Sequence, residues 1–317
     1  MKIAVCGVWH VHAGEYTQRA MELGQVVGFW EPNDAHAEDF RKYFDLPRFA
    51  SFEELLASDA EGVIVCTATN AHPDLMVRIA DAGKHIFTEK VLSLTSQEAA
   101  RIREAVERNN VRFVISLPQK YNGPQKTVKA VADSGELGKL NYLRYRNCHS
   151  GSTKGWLPAH FYNAEQCGGG AMIDLGAHGM YLTHWILGLP VSASSAFTVA
   201  HDTAFNTDGV EDNAVTVMVC KDGAIAVNET GFVSDYSPQV MEVFGEKGYV
   251  KMVDRKVVKC SEATGGVEVE VPLEDWSDSP ITQFVTGNIL PGCGMEEACA
   301  LTAMMEMAYE GKQIDKL

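Results

Sequence analysis

The chain predicts two domains of different class: an α/β half built on a doubly wound parallel sheet, then an α+β half rich in antiparallel strands. Three observations carry this reading. Its 317 residues suit two domains at about 150 residues each. Over the first 120 residues, short β-branched runs alternate with helical stretches, the pattern of a parallel sheet covered on both faces. From Val191 to about Val271 the pattern changes to the period-two alternation of antiparallel strands. The expected domains are therefore 1–120 and 121–317.

In the first half, Ile3–Cys6, Val26–Trp30, Val63–Thr67, His85–Thr88 and Val111–Ser116 are apolar runs of strand length. Ser51 with Glu54, and Thr95 with Glu98, fit the capping box that satisfies the first N–H groups of a helix. Pro73 falls where a first helical turn tolerates a missing N–H, and Gly24 and Gly83 fall where helices stop. In the second half, Gly123–Gly138 reads as a helix, Leu140–Cys148 as a strand, Gly151–Cys167 as a long loop and Gly170–Leu187 as a helix. Asp222-Gly223 marks a hairpin turn. Two helices close the chain, near Ser277–Leu290 and Met295–Tyr309.

The balance of 27 basic against 42 acidic side chains gives a net charge of -15, which argues against a partner that binds through a phosphate backbone. No nucleic-acid partner is expected. No run reaches the roughly 20 apolar residues that span a bilayer, so no membrane partner is expected either. The first residues enter a strand directly and carry no leader pattern. The eight cysteines are scattered without a C-x-x-C pair, which suits a reduced, cytoplasmic protein without structural zinc.

Gly7 follows the first strand and precedes a helix, and Glu31 closes the second strand. That context turns a glycine turn into a dinucleotide site, with the pyrophosphate at the helix N-terminus and the carboxylate on a ribose diol. The G-x-G-x-x-G pattern is incomplete, because Trp9 and His12 stand at its second and third glycines. The turn therefore reads either as a cofactor site involving Gly7, Trp9, His10, Val11 and Glu31, or as an ordinary β-turn-α. His10 and His12 form an H-x-H pair. No Asp/His set lies nearby in the chain, so no metal is expected.

Two blocks decide between these readings. Val63-Ile64-Val65-Cys66-Thr67-Ala68-Thr69-Asn70-Ala71-His72 with Ala82-Gly83-Lys84-His85-Ile86-Phe87-Thr88-Glu89-Lys90 resembles the glucose–fructose oxidoreductase/inositol dehydrogenase/rhizopine-catabolism (Gfo/Idh/MocA) family. Gly169-Gly170-Ala171-Met172-Ile173-Asp174-Leu175-Gly176-Ala177-His178 is similar to that family's G-G-x-x-x-D-x-G-x-H helix. Ser134–Gly138 and Phe244–Gly248 match its S-G-E-x-G turn and later hairpin. Ala68 and Val91 replace family prolines, Lys120 stands where arginine is common, and Tyr181 where Asp is frequent.

The resemblance implies a Rossmann domain binding NAD, an α+β domain with a large, mostly antiparallel open sheet, and hydride transfer to or from a secondary hydroxyl of a sugar, cyclitol or glycoside. Asp174 and His178 are four apart and share a helix face. Following the family, His178 is the expected acid/base, Lys90 the alkoxide stabiliser or proton relay, and Asp174 the substrate anchor. Thr67, Asn70, His72, Glu89 and Lys90 itself join the expected cofactor contacts. Lys120 and Tyr121, read as following a sixth strand, with Trp156, His160 and Tyr162 of the long loop, are the expected substrate contacts; Asn163 belongs to the same loop. An open sheet face needs a cover, so a homodimer or homotetramer is expected. Two other readings use the same residues. One is an enzyme that retains NAD and performs elimination, epimerisation or glycoside cleavage through a transient ketone. The other is a non-catalytic nucleotide or sugar sensor.

Overall fold

Buried aliphatic residues set the first sheet. Residues 1–201 and 203–310 are described by the computed structural model. The strands are Lys2–Cys6 (β1), Gln25–Trp30 (β2), Gly62–Val65 (β3), His85–Thr88 (β4) and Phe113–Ile115 (β5). Between them run helices Ala13–Leu23 (α1), Asp34–Arg41 (α2), Phe52–Ala57 (α3), His72–Asp81 (α4) and Ser96–Arg108 (α5). All four pairings are parallel, in the order β2-β1-β3-β4-β5. β3 is buried at every position, as a strand covered on both faces must be. The order reverses between β1 and β3, the place where doubly wound sheets hold ligands.

Local chemistry explains the helix ends. Thr95 and Glu98 form the full capping box, whereas Ser51 Oγ accepts the Glu54 N–H while the Glu54 carboxylate takes the Ala50 N–H instead. Pro73 sits in the first turn of α4. The sheet has five strands among the described residues, so Lys120 and Tyr121 follow β5 rather than a sixth strand.

The second sheet has eight strands. Gly123–Asp133 (α6) precedes Leu140–Cys148 (β6), then come Ala164–Cys167 (α7) and Ala177–Leu187 (α8). The remaining strands are Pro190–Thr198 (β7), Asn213–Cys220 (β8), Ile225–Gly231 (β9), Val240–Gly245 (β10), Gly248–Val253 (β11), Lys256–Ser261 (β12) and Val269–Glu270 (β13). Their order is β13-β12-β11-β10-β6-β9-β8-β7, antiparallel throughout except for the parallel β6/β9 pair. Gly223, with φ +84°, makes the turn between β8 and β9. One face is covered: α6 packs on β10 to β12 and α8 on β6 and β9, burying Leu143, Tyr145, Met241, Val243, Val250 and Met252. The other face leaves Val215, Val217, Val219 and Ile225 exposed beside a half-buried ladder in which Arg144 bonds Glu229 and Glu242, and Arg146 bonds Glu229.

The last elements are Pro280–Thr286 (α9) and Met295–Glu310 (α10). α9 is shorter than the expected Ser277–Leu290, because Gly287 takes a left-handed conformation at its end. The chain divides into two units, Met1–Leu117 with Asp278–Thr302, and Pro118–Ser277 with the residues from Ala303. Thus 278–302, assigned to the second domain from sequence, belongs to the first unit. The Ile115 N–H donates to Cys293 O, Arg112 donates to Phe284 O, and Phe284 packs against Phe87. None of the eight cysteines is in a disulfide, and no helix among the described residues is long and apolar enough to cross a membrane.

Candidate active site

Gly7 meets a real backbone demand: φ is +79° and a Cβ there would clash with the Thr67 side chain. The turn that follows is tied to the end of β3 by the His10 N–H, which donates to Cys66 O at 3.0 Å. Glu31, buried at the end of β2, accepts the Val8 N–H on one oxygen and the Asn33 N–H on the other, each at 2.8 Å. Two fixed oxygens with remaining lone pairs suit a ribose diol. Thr67 Oγ1 is buried beside Gly7 with no hydrogen-bond partner among the described residues, as expected where a ligand supplies one. These residues fit the dinucleotide the resemblance implies. Val11 is exposed and Trp9 half-buried on the same turn, and Asn70 is exposed after β3.

His72 is placed differently. Its two ring nitrogens face the carbonyl oxygens of Leu92 and Thr67, at 3.1 and 3.2 Å, and burial pushes its pKa down. It clamps the turn after β3 to the segment after Lys90.

Of the two residues that replace fingerprint glycines, His12 has structural work of its own. His12 stands at the N-cap position of α1, where its side chain turns to Glu89 and not to the helix: Nδ1 donates to Glu89 Oε1 at 2.8 Å, while His10 Nδ1 accepts the His12 N–H. Tyr16, one turn further along α1, donates to the same Glu89 oxygen and contacts Ser116 Oγ. Glu89 Oε2 accepts the Lys90 N–H. The donor atoms of His10, His12 and Glu89 lie within 4.8 Å of one another, so the H-x-H pair does acquire a carboxylate, from a strand end far along the chain. The 2.8 Å spacing of His12 and Glu89 is that of a hydrogen bond. Burial would raise the Glu89 carboxyl, but the charges of His10, His12 and Lys90 outweigh it and hold it well below the usual range. Burial would lower His12, and Glu89 more than reverses that. Lys90 itself is buried, and the Lys90–Val91 peptide bond is cis.

In the second unit, Asp174 lies in a π-helical turn, Met172–Gly176, which runs into α8. The sequence suggested regular helix from Gly170. The wider turn forms where Asn228 of β9 enters: its side-chain amide donates to Gly176 O at 2.7 Å, and a Cβ at Gly179 would collide with the Asn228 side chain. Such turns cluster at functional sites. Glu211 secures the start, accepting the Met172 N–H and the Tyr309 hydroxyl on one oxygen. His178 Nδ1 lies 2.8 Å from Tyr181 Oη, which accepts the Gln119 N–H at 3.2 Å. Tyr181 is fully buried, so this partner is fixed.

Lys120 is buried with its ammonium over the Trp185 ring, and Tyr121 is buried with its carbonyl accepting the Ser277 N–H. Trp156 is exposed and His160 half-buried; Tyr162 is buried and bonds Ser152 Oγ, while Asn163 caps α7. Sequence reasoning passed over His149, directly after β6, whose ring meets Trp156 and feels the Asp174 charge. A histidine at a strand end, two residues before Gly151, was the local signal. It also passed over the Gln119–Tyr181 pairing, which has none.

Residues 1–117 match an oxidoreductase family described as having an NAD-binding Rossmann fold, and residues 125–251 match the GFO/IDH/MocA C-terminal domain. An inositol 2-dehydrogenase of Rhizobium meliloti (strain 1021) is 25% identical over 235 residues, covering 74% of this chain and 69% of the relative. A myo-inositol 2-dehydrogenase of Thermotoga maritima is 28% identical over 194 residues, 61% of this chain, and the match spans 56% of that relative's length. Among solved structures, an aldose-aldose oxidoreductase from Caulobacter crescentus is similar with a TM-score of 0.81 at 17% identity, covering 100% of this chain and 99% of the other; the likeness is one of fold. Family motifs in both halves, on the sheets that carry them, make this chain a member of the GFO/IDH/MocA oxidoreductases, with an NAD-binding Rossmann fold at its N-terminus.

Proposed function

We propose that the protein is an NAD-dependent dehydrogenase of a secondary hydroxyl on a cyclitol or sugar. The observation that carries this is His178, set after Asp174 in the π-to-α transition and held at Nδ1 by a buried tyrosine hydroxyl. In the tautomer whose Nδ1–H donates to Tyr181 Oη, Nε2 bears the lone pair that a general base needs. Bound NAD supplies the hydride acceptor, held at Gly7, Thr67 and Glu31, and the Glu31 carboxylate disfavours a 2′-phosphate. His178 Nε2 takes the hydroxyl proton, Lys90 steadies the developing alkoxide and Asp174 accepts from a substrate hydroxyl. Val8 and Asn33 keep Glu31 oriented.

The names of the matched inositol dehydrogenases support a cyclitol, and the aldose oxidoreductase supports a sugar. The exposed valine face of β8 supports a dimer or tetramer formed through the second sheet. Eight thiols outside any disulfide support a cytoplasmic setting.

The test is NADH formation at 340 nm with myo-inositol, scyllo-inositol and a panel of aldoses. Turnover of at least one, lost in Lys90→Ala and His178→Ala, is expected. Absence of turnover by wild type, with NAD still raising the melting temperature, removes the dehydrogenase reading. No stabilisation by NAD removes the cofactor site as well.

A further inference from the structure

The helix that carries Asp174 begins with three amides held by two residues from distant parts of the chain. Glu211 precedes β8 and Tyr309 stands near the end of α10, both within the second unit. The Ala171 N–H donates to Glu211 O at 2.8 Å, the Met172 N–H to Glu211 Oε1 at 2.9 Å, and the Ile173 N–H to Tyr309 Oη at 3.1 Å. The phenol closes the circuit by donating to Glu211 Oε1 at 2.6 Å. The first N–H groups of a helix have no acceptor within it, and here each of the three receives one from outside.

The fit is close. A Cβ at Gly169 would strike Tyr309 Oη and one at Gly170 would strike Glu211 O, so the glycine pair lets both groups reach the backbone. Glu211 is buried, and the half-buried Tyr309 ring stacks on Phe197 of β7, 4.9 Å between centroids at 21°. Burial and the Glu211 charge raise the Tyr309 pKa well above its ordinary value, which keeps the hydroxyl a donor. β9 holds the turn as well: the Thr230 hydroxyl donates to Ala171 O at 3.2 Å and the Asn228 amide to Gly176 O at 2.7 Å. Asp174 thus lies between two anchored ends. A π turn is uncommon on its own and needs surroundings that hold it. Reverting to α geometry takes up one residue, about 100° of rotation between the two sides of the step, and re-aims Asp174 against His178.

We propose that Glu211 and Tyr309 are positioning residues for the reaction: together they hold the Asp174 turn in its π register, so that the end of the last helix sets the alignment of Asp174 with His178. This rests on the dehydrogenase reading and adds to it two residues that act through the backbone of that turn. Loss of the phenol oxygen leaves the Ile173 N–H without this acceptor and Glu211 with one donor fewer. A buried amide and a buried carboxylate are then both under-satisfied, and the turn can regain its bonds only by rewinding.

The experiment uses the full-length, NAD-saturated protein with myo-inositol, scyllo-inositol or the aldose, whichever wild type oxidises fastest. kcat and KM are measured well below the melting temperature in Tyr309→Phe, Glu211→Gln and Val243→Ala. Amide exchange of the peptide spanning 169–178 is followed by mass spectrometry in the same proteins. Tyr309→Phe should lower kcat/KM about tenfold, the loss of one charge-assisted hydrogen bond, and speed exchange in that peptide. Glu211→Gln, whose amide oxygen still accepts both donors, should stay within about threefold of wild type. Val243→Ala opens a cavity under α6 and should lower the melting temperature while keeping kcat/KM within about twofold. A Tyr309→Phe protein that melts earlier yet keeps the wild-type kcat/KM overturns the proposal, because the hydroxyl then serves folding alone. Equal losses of kcat/KM in Tyr309→Phe and Val243→Ala overturn it too, since any destabilisation would then act alike. If wild type oxidises none of these substrates, the dehydrogenase reading falls and exchange alone judges the clamp: equal rates for 169–178 in wild type and Tyr309→Phe overturn it.

Discussion

The imidazole of His12 and the buried carboxylate of Glu89 meet at 2.8 Å across 77 residues of chain. The pair explains how a dinucleotide turn forms without its third glycine. That glycine ordinarily lets the first helix approach the sheet closely. Here His12 and Tyr16 both bond Glu89 at the end of β4, so side-chain hydrogen bonds do the fastening. Glu89 also holds the Lys90 N–H, which links the turn to a proposed catalytic residue.

The pair gives stability a pH window. The folded His12 pKa is raised, so its contribution is complete below the unfolded value near 6.5 and fades as pH rises through the folded value. The folded Glu89 pKa is lowered, so its contribution is complete above the unfolded value near 4.3 and fades as pH falls through the folded one. The melting temperature of wild type minus that of His12→Ala should therefore be largest between about pH 5 and 6. A difference that is flat from pH 4 to 9 would show that the pair carries no charge. Glu89→Gln should cost about 2 kcal/mol near pH 6, where a charge-assisted bond is lost, measured by urea unfolding.

Gly7→Ala forces a side chain into a positive-φ position and against Thr67. The conformational cost is about 1–2 kcal/mol before any clash. NAD should then give no thermal shift at concentrations that saturate wild type, while the far-UV spectrum stays native. A wild-type shift would place the pyrophosphate away from this turn.

Tyr181→Phe removes the oxygen that stands between His178 Nδ1 and the Gln119 N–H. With the imidazole no longer held, kcat should fall by about tenfold or more and KM change little. The pH profile of kcat should also move. Equal losses in kcat and in stability across all pH values would mean that the hydroxyl serves packing alone.

Val217 lies mid-strand on the exposed face of β8. A charge there would have to be buried if that face is an interface. Light scattering should find an oligomer for wild type and a monomer for Val217→Arg, with both melting cooperatively. A monomeric wild type would leave the valine face to solvent.

What was legible in the sequence depended on distance along the chain. β4 and β6 span the residues that alternation and β-branching mark, because a strand's own side chains set its pattern. The Thr95–Glu98 box formed for the same local reason. The helix read as Gly123–Gly138 stops at Asp133, ahead of a turn that Gly135 makes with φ +78°. Non-local matters were invisible. The π turn at Asp174 answers to Asn228, and the acid partner of the His10/His12 pair, Glu89, follows β4 far along the chain. The return of 278–302 to the first unit depends on Cys293 pairing with Ile115. Within the candidate site, Asp174 and His178 could be named from the chain, while Tyr181 as the partner of His178, and His149 with the Phe232 ring beneath it, had to be seen in space.

The cysteines turn the two sheets into separate reporters. Cys6 and Cys66 are wholly buried in the first unit, and burial pushes both thiols far above their ordinary pKa. Neither can be alkylated until the strands around it part. Cys148 and Cys260 sit half-covered at β6 and β12 of the second sheet. Time-resolved alkylation followed by peptide mass mapping would accordingly clock the breathing of each sheet on its own, with no label introduced.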